Sequence, residues 1–352
     1  MSDYFCEGML NVKNFGAAGD GIKDDTASIQ AALDAAEKTK NTVVFPVGVY
    51  LCHDLIMRPN TGMLGVCNWG YTSLGGSVLK INSTDAKYLI DITEGIGCTI
   101  NGMSFSGNEK FGENIHAIYA SGMNSLKKED GYRIERCRVE KFSGDGIHFV
   151  HAWCFSIRGS AFFGNGKSGI YADGCDGFII DCWLSANEIS GFRSDSWHSS
   201  TTFTANRVEW NKVSGMHIAQ GNTMNITGNY FDRSSGPAIF ASDFQQLTIT
   251  GNIIHRSGAS EKFADTDDDC HVRICKVSGA AMTCNSFSAA KDDGNDKGRL
   301  SPSYGVVLDE VEFCVVKDNV WQKGVTKEFL LDRRGNKEGI IVKDNPGCIR
   351  EE

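Results

Sequence analysis

SGDGIHFV at residues 143–150 returns as KSGIYADG at 167–174, ISGFRSDS at 189–196, VSGMHIAQ at 213–220 and SGPAIFAS at 235–242. A second apolar segment follows each copy: FSIRGSAFF, GFIIDCWLS, TTFTANRVEW, MNITGNYFD and LTITGNIIH. Gly146, Gly169, Gly191 and Gly215 are spaced 23, 22 and 24 residues apart. So short a period, built of β-branched and aromatic runs broken by Gly, Asn and Asp, marks a solenoid whose units bury their apolar faces only against neighbours. Inside each copy the apolar residues alternate with period two, so the elements are strands. The predicted fold is all-β, a parallel β-helix.

The alternation also assigns direction. Ile147/Phe149, Ile170/Ala172, Phe192/Ser194, Met216/Ile218 and Ala238/Phe240 read as inward. His148, Tyr171, Arg193, His217 and Ile239 then point outward, with Val150, Asp173, Asp195, Ala219 and Ala241 two residues on. Tyr119, in HAIYA, joins this strip one coil earlier. The strip is the candidate active face.

Bulk composition limits the partners. Against 35 Lys and Arg stand 44 Asp and Glu, a formal charge of −9, which argues against nucleic acid because phosphate binding needs a basic stripe. Thirteen cysteines, an odd number, are not spaced as a disulfide framework and read as free thiols of a reducing compartment. No leader pattern opens the chain and no apolar run approaches membrane-spanning length. The expectation is a cytoplasmic protein with no membrane partner. No linker interrupts it, so residues 1–352 are expected to form one domain: a capping region to residue 58, then coils to the end.

In NVKNFGAAGDGIKDDTASIQAALDAAEKT, residues 11–39, a strand and a Gly-rich loop lead into a helix. Asp24, Asp25 and Thr26 offer capping oxygens, and Ile29, Ala32, Leu33 and Ala36 form one apolar stripe. Such a helix can cover the end of a solenoid and block edge pairing. This segment, with V-x-F-P-x-G-x-Y shortly after it, resembles the opening of right-handed parallel β-helix proteins. That superfamily includes polygalacturonases, pectate-lyase-like enzymes, fructotransferases and phage tailspikes. The resemblance implies the fold, and carbohydrate as the class of ligand; its fibre members allow a homotrimer.

Asparagines recur at one turn, Asn206, Asn229, Asn252, Asn285, Asn319 and Asn345, at intervals of 23, 23, 33, 34 and 26. They predict a structural ladder, since Asn suits left-handed turns and its amide can bond to the next coil. The long intervals locate inserted loops at 259–270 and 290–303, expected to overhang the outward strip.

For chemistry, Asp173 and Asp195 occupy equivalent positions of adjacent copies, and stacked strands are about 4.8 Å apart. Such a pair suits glycoside hydrolysis, one carboxyl as acid and the other as base or nucleophile. Catalytic roles are therefore expected for Asp173, Asp195 and His217. Arg193, Tyr171, His148, Trp153, Trp197, Tyr119 and Arg273 are expected to bind substrate, the two tryptophans as turn platforms with His151 and His198 beside them. Trp183 and Trp210 read as packing. The order Asp173, Asp195, His217, Arg273 resembles polygalacturonases, which carry a double Asp, a Gly-His-Gly and an Arg-Ile-Lys that this chain lacks. The expected function is a glycoside hydrolase acting on an oligo- or polysaccharide. A polysaccharide lyase, with Tyr171 or His217 as base, an intramolecular fructotransferase and a non-catalytic sugar-binding fibre are the alternatives. No cofactor is required; DTDDDCH, residues 265–271, is oxygen-rich enough to hold Ca²⁺ but lacks the spacing of a calcium loop.

Overall fold

The structure is a computed structural model and describes residues 8–70, 73–122, 129–288, 301–322 and 327–347. Its contacts divide the chain into two compact units, the first ending at Gly174 and the second beginning at Cys175. In each unit every named strand pairing is parallel. Coils therefore follow one another in register, as a β-helix requires.

In the first unit, one row of strands runs through Leu10–Asn11, Thr42–Val44, Gly62–Leu64, Thr99–Asn101, Tyr132–Glu135 and the distal part of Ile147–Arg158. A second row joins Asp20–Asp24, Gly48–Cys52, Ser77–Ile81, Ser104–Ser106, Arg138–Glu140 and Ala161–Phe163. The helix Thr26–Thr39 buries the expected stripe of Ile29, Ala32, Leu33 and Ala36. It packs on the first-rung strands Leu10–Asn11 and Thr42–Val44. Its capping differs from expectation. Asp24 accepts from the Thr26 N–H (2.9 Å), whereas buried Asp25 turns back to accept from the N–H groups of Ala18 (2.7 Å) and Gly19 (2.8 Å). Asp25 thus fixes the Gly-rich loop rather than the helix end.

In the second unit the long strands His198–Thr204, Ser214–Thr227, Ile239–Thr250 and Cys270–Thr283 stack in order. Behind them stack Trp183–Ser185, Arg207–Glu209, Tyr230–Asp232, Ile253–His255, Ser286–Ser288 and Val320–Trp321. The asparagine ladder is present. The side-chain amide of Asn206 donates to Asn229, Asn229 to Asn252 and Asn252 to Asn285, each at 3.0 Å; Asn285 to Asn319 and Asn319 to Asn345 follow at 2.9 Å. Left-handed backbone falls one residue earlier than expected, at Ala205, Gly228, Gly251, Cys284, Asp318 and Asp344. That bend lets each following Asn turn inward.

Most inward residues are fully buried, Ile147, Phe149, Ile170, Ala172, Phe192, Met216 and Ile218 among them. The last copy differs. Met216 pairs with Ile239 and His217 with Phe240, so Ile239 and Ala241 are buried and Phe240 faces outward. The Gly236-Pro237 turn carries one residue more than the sequence reading assumed. Of the two expected loops, residues 289–300 lie outside the described residues. The other holds a short 3₁₀ turn, Glu261–Phe263. The cysteines of the described residues are free thiols, and no helix there is long and apolar enough to cross a membrane.

Two predictions follow from the core. Asn252 accepts from both the side chain and the backbone of Asn229, so Asn252→Ala orphans two buried donors; denaturant unfolding should show a loss of roughly 2–3 kcal/mol. His271, buried against Phe287 and Trp321, has its pKa driven from 6.5 down to about 3 by burial, with His255 adding to it. The folded protein keeps it neutral while the unfolded chain takes up a proton below about pH 6.5. Stability should hold above that pH and fall steadily towards pH 3, and His271→Phe should flatten that fall.

Candidate functional site

In the first unit, outward rings stack across successive coils. Tyr88 lies on Tyr119 (ring centroids 5.5 Å), Tyr119 on His148 (5.8 Å) and His148 on Tyr171 (4.6 Å), all within 12° of parallel. The register dictates this: Tyr119 pairs with His148 in the ladder between His116–Ser121 and Ile147–Arg158. Tyr88, His116 and Tyr119 also line a cleft of about 690 Å³ that includes Lys87, Asp85, Asp91 and Glu113. Burial, with Asp91 and Asp54 nearby, pushes the Tyr88 phenol up to about 12, so it stays protonated.

Behind His148 sits a group that sequence reasoning missed. Asp145 is buried, accepts from the Ser168 N–H (2.7 Å) and holds the Nδ1 of His148 at 2.9 Å. Burial alone would raise the Asp145 pKa, but the His148 Nδ1–H and the Ser168 N–H hold it below the usual carboxylate range. The carboxylate is ionised and fixes His148 with its proton on Nδ1, leaving the lone pair on Nε2. His116, also missed, lies 3.3 Å from the same carboxylate oxygen through Nδ1, which receives the Asp145 N–H at 3.0 Å. Burial lowers the His116 pKa, so it is neutral and carries its proton on Nε2.

His116, Asp145 and His148 lie close enough together to hold a metal ion. The lone pairs do not fit. The one in-plane pair of His116 Nδ1 is taken by the Asp145 N–H, and its other nitrogen bears the proton. Two donors remain, fewer than a structural or catalytic zinc-type site uses. The trio is a proton-holding network. Nor does the acidic loop fit calcium: Asp267 and Asp268 bind Arg273 (3.6 and 2.8 Å), Asp267 binds Arg333 (2.7 Å) and Asp265 binds Lys327 (3.3 Å). Three of its four carboxylates are paired with the chain's own cations, and buried Asp269 accepts from the Ser303 N–H (2.9 Å) and hydroxyl (2.6 Å).

Asp173 belongs to the first unit and Asp195 to the second. Each is engaged by the outward residue two positions before it. Tyr171 donates its hydroxyl to Asp173 (2.6 Å), which is buried. Arg193 grips Asp195 with two contacts, Nε at 2.8 Å and a terminal nitrogen at 2.7 Å. In the second unit His217 stands 3.7 Å from Asp195 and stacks on Phe240 (4.7 Å), and Arg273 lies over that ring at 5.5 Å. Burial lowers the His217 pKa, so it too favours the neutral form. The contacts of Asp267 and Asp268 with Arg273 bring the 259–270 loop onto the strip, as expected.

The remaining expected binders divide. Trp197 is 43% exposed at a left-handed turn, while Trp153 is half-buried with its backbone N–H on Asp130 (2.7 Å). His198, expected beside Trp197 at the surface, is buried edge-on to Phe192. Trp183 and Trp210 are not core: Trp183 is half-buried with its indole N–H on Glu209 (2.8 Å), and Trp210 is exposed beneath Arg233 (4.5 Å).

Because the network is closed by protons, chelators should leave the unfolding midpoint unchanged. Asp145→Asn, which removes the ionised acceptor, should lower stability by about 1.5–3 kcal/mol in the same experiment.

Residues 101–273 match the family described as periplasmic copper-binding protein (NosD). Mannuronan C5-epimerase AlgE4 of Azotobacter vinelandii is 32% identical over 196 residues, 49% of this chain and 32% of that protein. Alginate lyase 7 of the same organism is 30% identical over 201 residues, 50% of this chain and 22% of that protein. The matched region thus spans under a third of these relatives' own length. Among solved structures, the A. vinelandii AlgE4 A-module superposes with a TM-score of 0.61 at 18% identity, covering 96% of this chain and 94% of that one. Parallel ladders, repeat and superposition agree: the chain is a right-handed parallel β-helix protein.

Proposed function

We propose that the chain is a carbohydrate-active enzyme that removes the proton beside the carboxylate of a uronate residue in a polysaccharide, with His148 as general base. The observation that carries this reading is the buried Asp145 carboxylate on His148 Nδ1, which leaves Nε2 as an oriented base in a row of phenols. The relatives named for epimerising mannuronan and cleaving alginate support uronate as the substrate class.

Both reactions begin with the same step. The C5–H bond breaks, its proton passes to His148 Nε2 and its electrons delocalise into the carboxylate. If a proton then returns to C5 from the opposite face, the sugar is epimerised. If instead the bond to the 4-oxygen breaks and that oxygen takes a proton, the chain is cleaved and a C4–C5 double bond remains. Tyr171, hydrogen-bonded to Asp173, is the nearest proton donor in the ring row, and Lys87 supplies a cation to the cleft. The glycosidase assignment of Asp173 and Asp195 has less support, because each carboxylate already holds a partner from its own strand.

The test uses polymannuronate in D₂O, followed by ultraviolet absorbance and NMR. Deuterium at C5, or an absorbing unsaturated end, is expected, reduced at least a hundredfold in His148→Ala. New reducing ends with neither signal, lost in Asp173→Asn and Asp195→Asn, would overturn this reading in favour of a hydrolase.

A further inference from the structure

A second concave surface lies wholly in the second unit, where the coils share an in-register series of left-handed bends. Along the groove the series includes Ser200 (φ 49°), Gln246 (φ 52°) and Phe313 (φ 51°). Repeated coil after coil, the bend opens a groove of about 620 Å³ along the stack. Its floor is an in-register row, Thr202 beside Asn225 beside Thr248. Parallel stacking therefore presents a hydroxyl or amide about every 4.8 Å.

The chemistry of the lining is selective. None of its thirteen residues is charged, although 22% of the whole chain is. The first unit's cleft, by contrast, carries Asp85, Lys87, Asp91 and Glu113. Phenyl rings stand at both ends of the groove. Phe178, 46% exposed, pairs with Thr202 at the start of the floor row, and Phe313, 61% exposed, lines the far end. An apolar ring that far in water gains by stacking on the C–H face of a sugar, and neutral hydroxyls and amides pair with sugar hydroxyls. We propose that this groove binds an uncharged glycan chain, laid along the coils with a sugar ring on Phe313.

This inference does not depend on the reaction assigned to His148. Electrophoresis of the whole chain through gels containing galactomannan, dextran, hydroxyethyl cellulose or alginate tests it. Retardation by at least one neutral polymer is expected, weakened fivefold or more in Phe313→Ala and in Asn225→Ala, and unchanged in His148→Ala. Phe313 and Asn225 are exposed, and matching unfolding midpoints will show that both variants fold. Retardation by no neutral polymer, or retardation that ignores both substitutions, would overturn the proposal. So would self-association in sedimentation velocity that Phe313→Ala abolishes, since the groove would then seat a second copy of this chain.

Discussion

Everything in this molecule depends on register between coils. Parallel ladders set each residue over its counterpart about 4.8 Å away, so one side-chain choice, repeated, becomes a row. The rows have different tasks. Inward, Ile, Phe and Met exclude water. At one corner, buried asparagines pass hydrogen bonds from coil to coil, each amide donating to the next carbonyl oxygen. Outward, rings stack within van der Waals reach and guanidinium groups cover carboxylates. A slip of one residue would reverse the faces and break every row together.

The candidate catalytic group arises where a row is interrupted. Position 145 holds a carboxylate where the following copies hold Ser168, Ser190 and Ser214. Enclosed there, the carboxylate must be satisfied by neighbours, and His148 and the Ser168 N–H are those neighbours. The burial that would otherwise favour protonation is offset by these contacts, and the result is a fixed negative charge behind an imidazole. The same arrangement that stabilises the carboxylate therefore sets the tautomer of His148 and frees its outer nitrogen. Structure and reactivity share one cause.

Much of this was legible in the sequence, for physical reasons. Period two fixed the inward and outward faces in four of five copies, and glycine spacing fixed the coil length. Tyr119, His148 and Tyr171 were placed on one strip because register needs only counting. The Gly-Pro turn at 236–237 hid one residue, which put Ile239 where Phe240 belongs. Asp145 and His116 escaped because Asp145 lies just before its strand and His116 opens its own, where the pattern asks only for something small. The departure of Asp145 from the serine of later copies was the available signal. Pairing within a strand was also unread: Tyr171 with Asp173 and Arg193 with Asp195 sit two apart on one face, near enough to occupy each other.

The most direct test of the account is the tautomeric state of two histidines, read by ¹⁵N NMR of the ring nitrogens in the folded chain. The account predicts that neutral His148 carries its proton on Nδ1 and His116 carries its proton on Nε2, and that Asp145→Asn releases His148 to a mixture of both forms. His148 protonated on Nε2 in the unsubstituted chain would contradict it, since the outer nitrogen would then have no lone pair with which to take a proton.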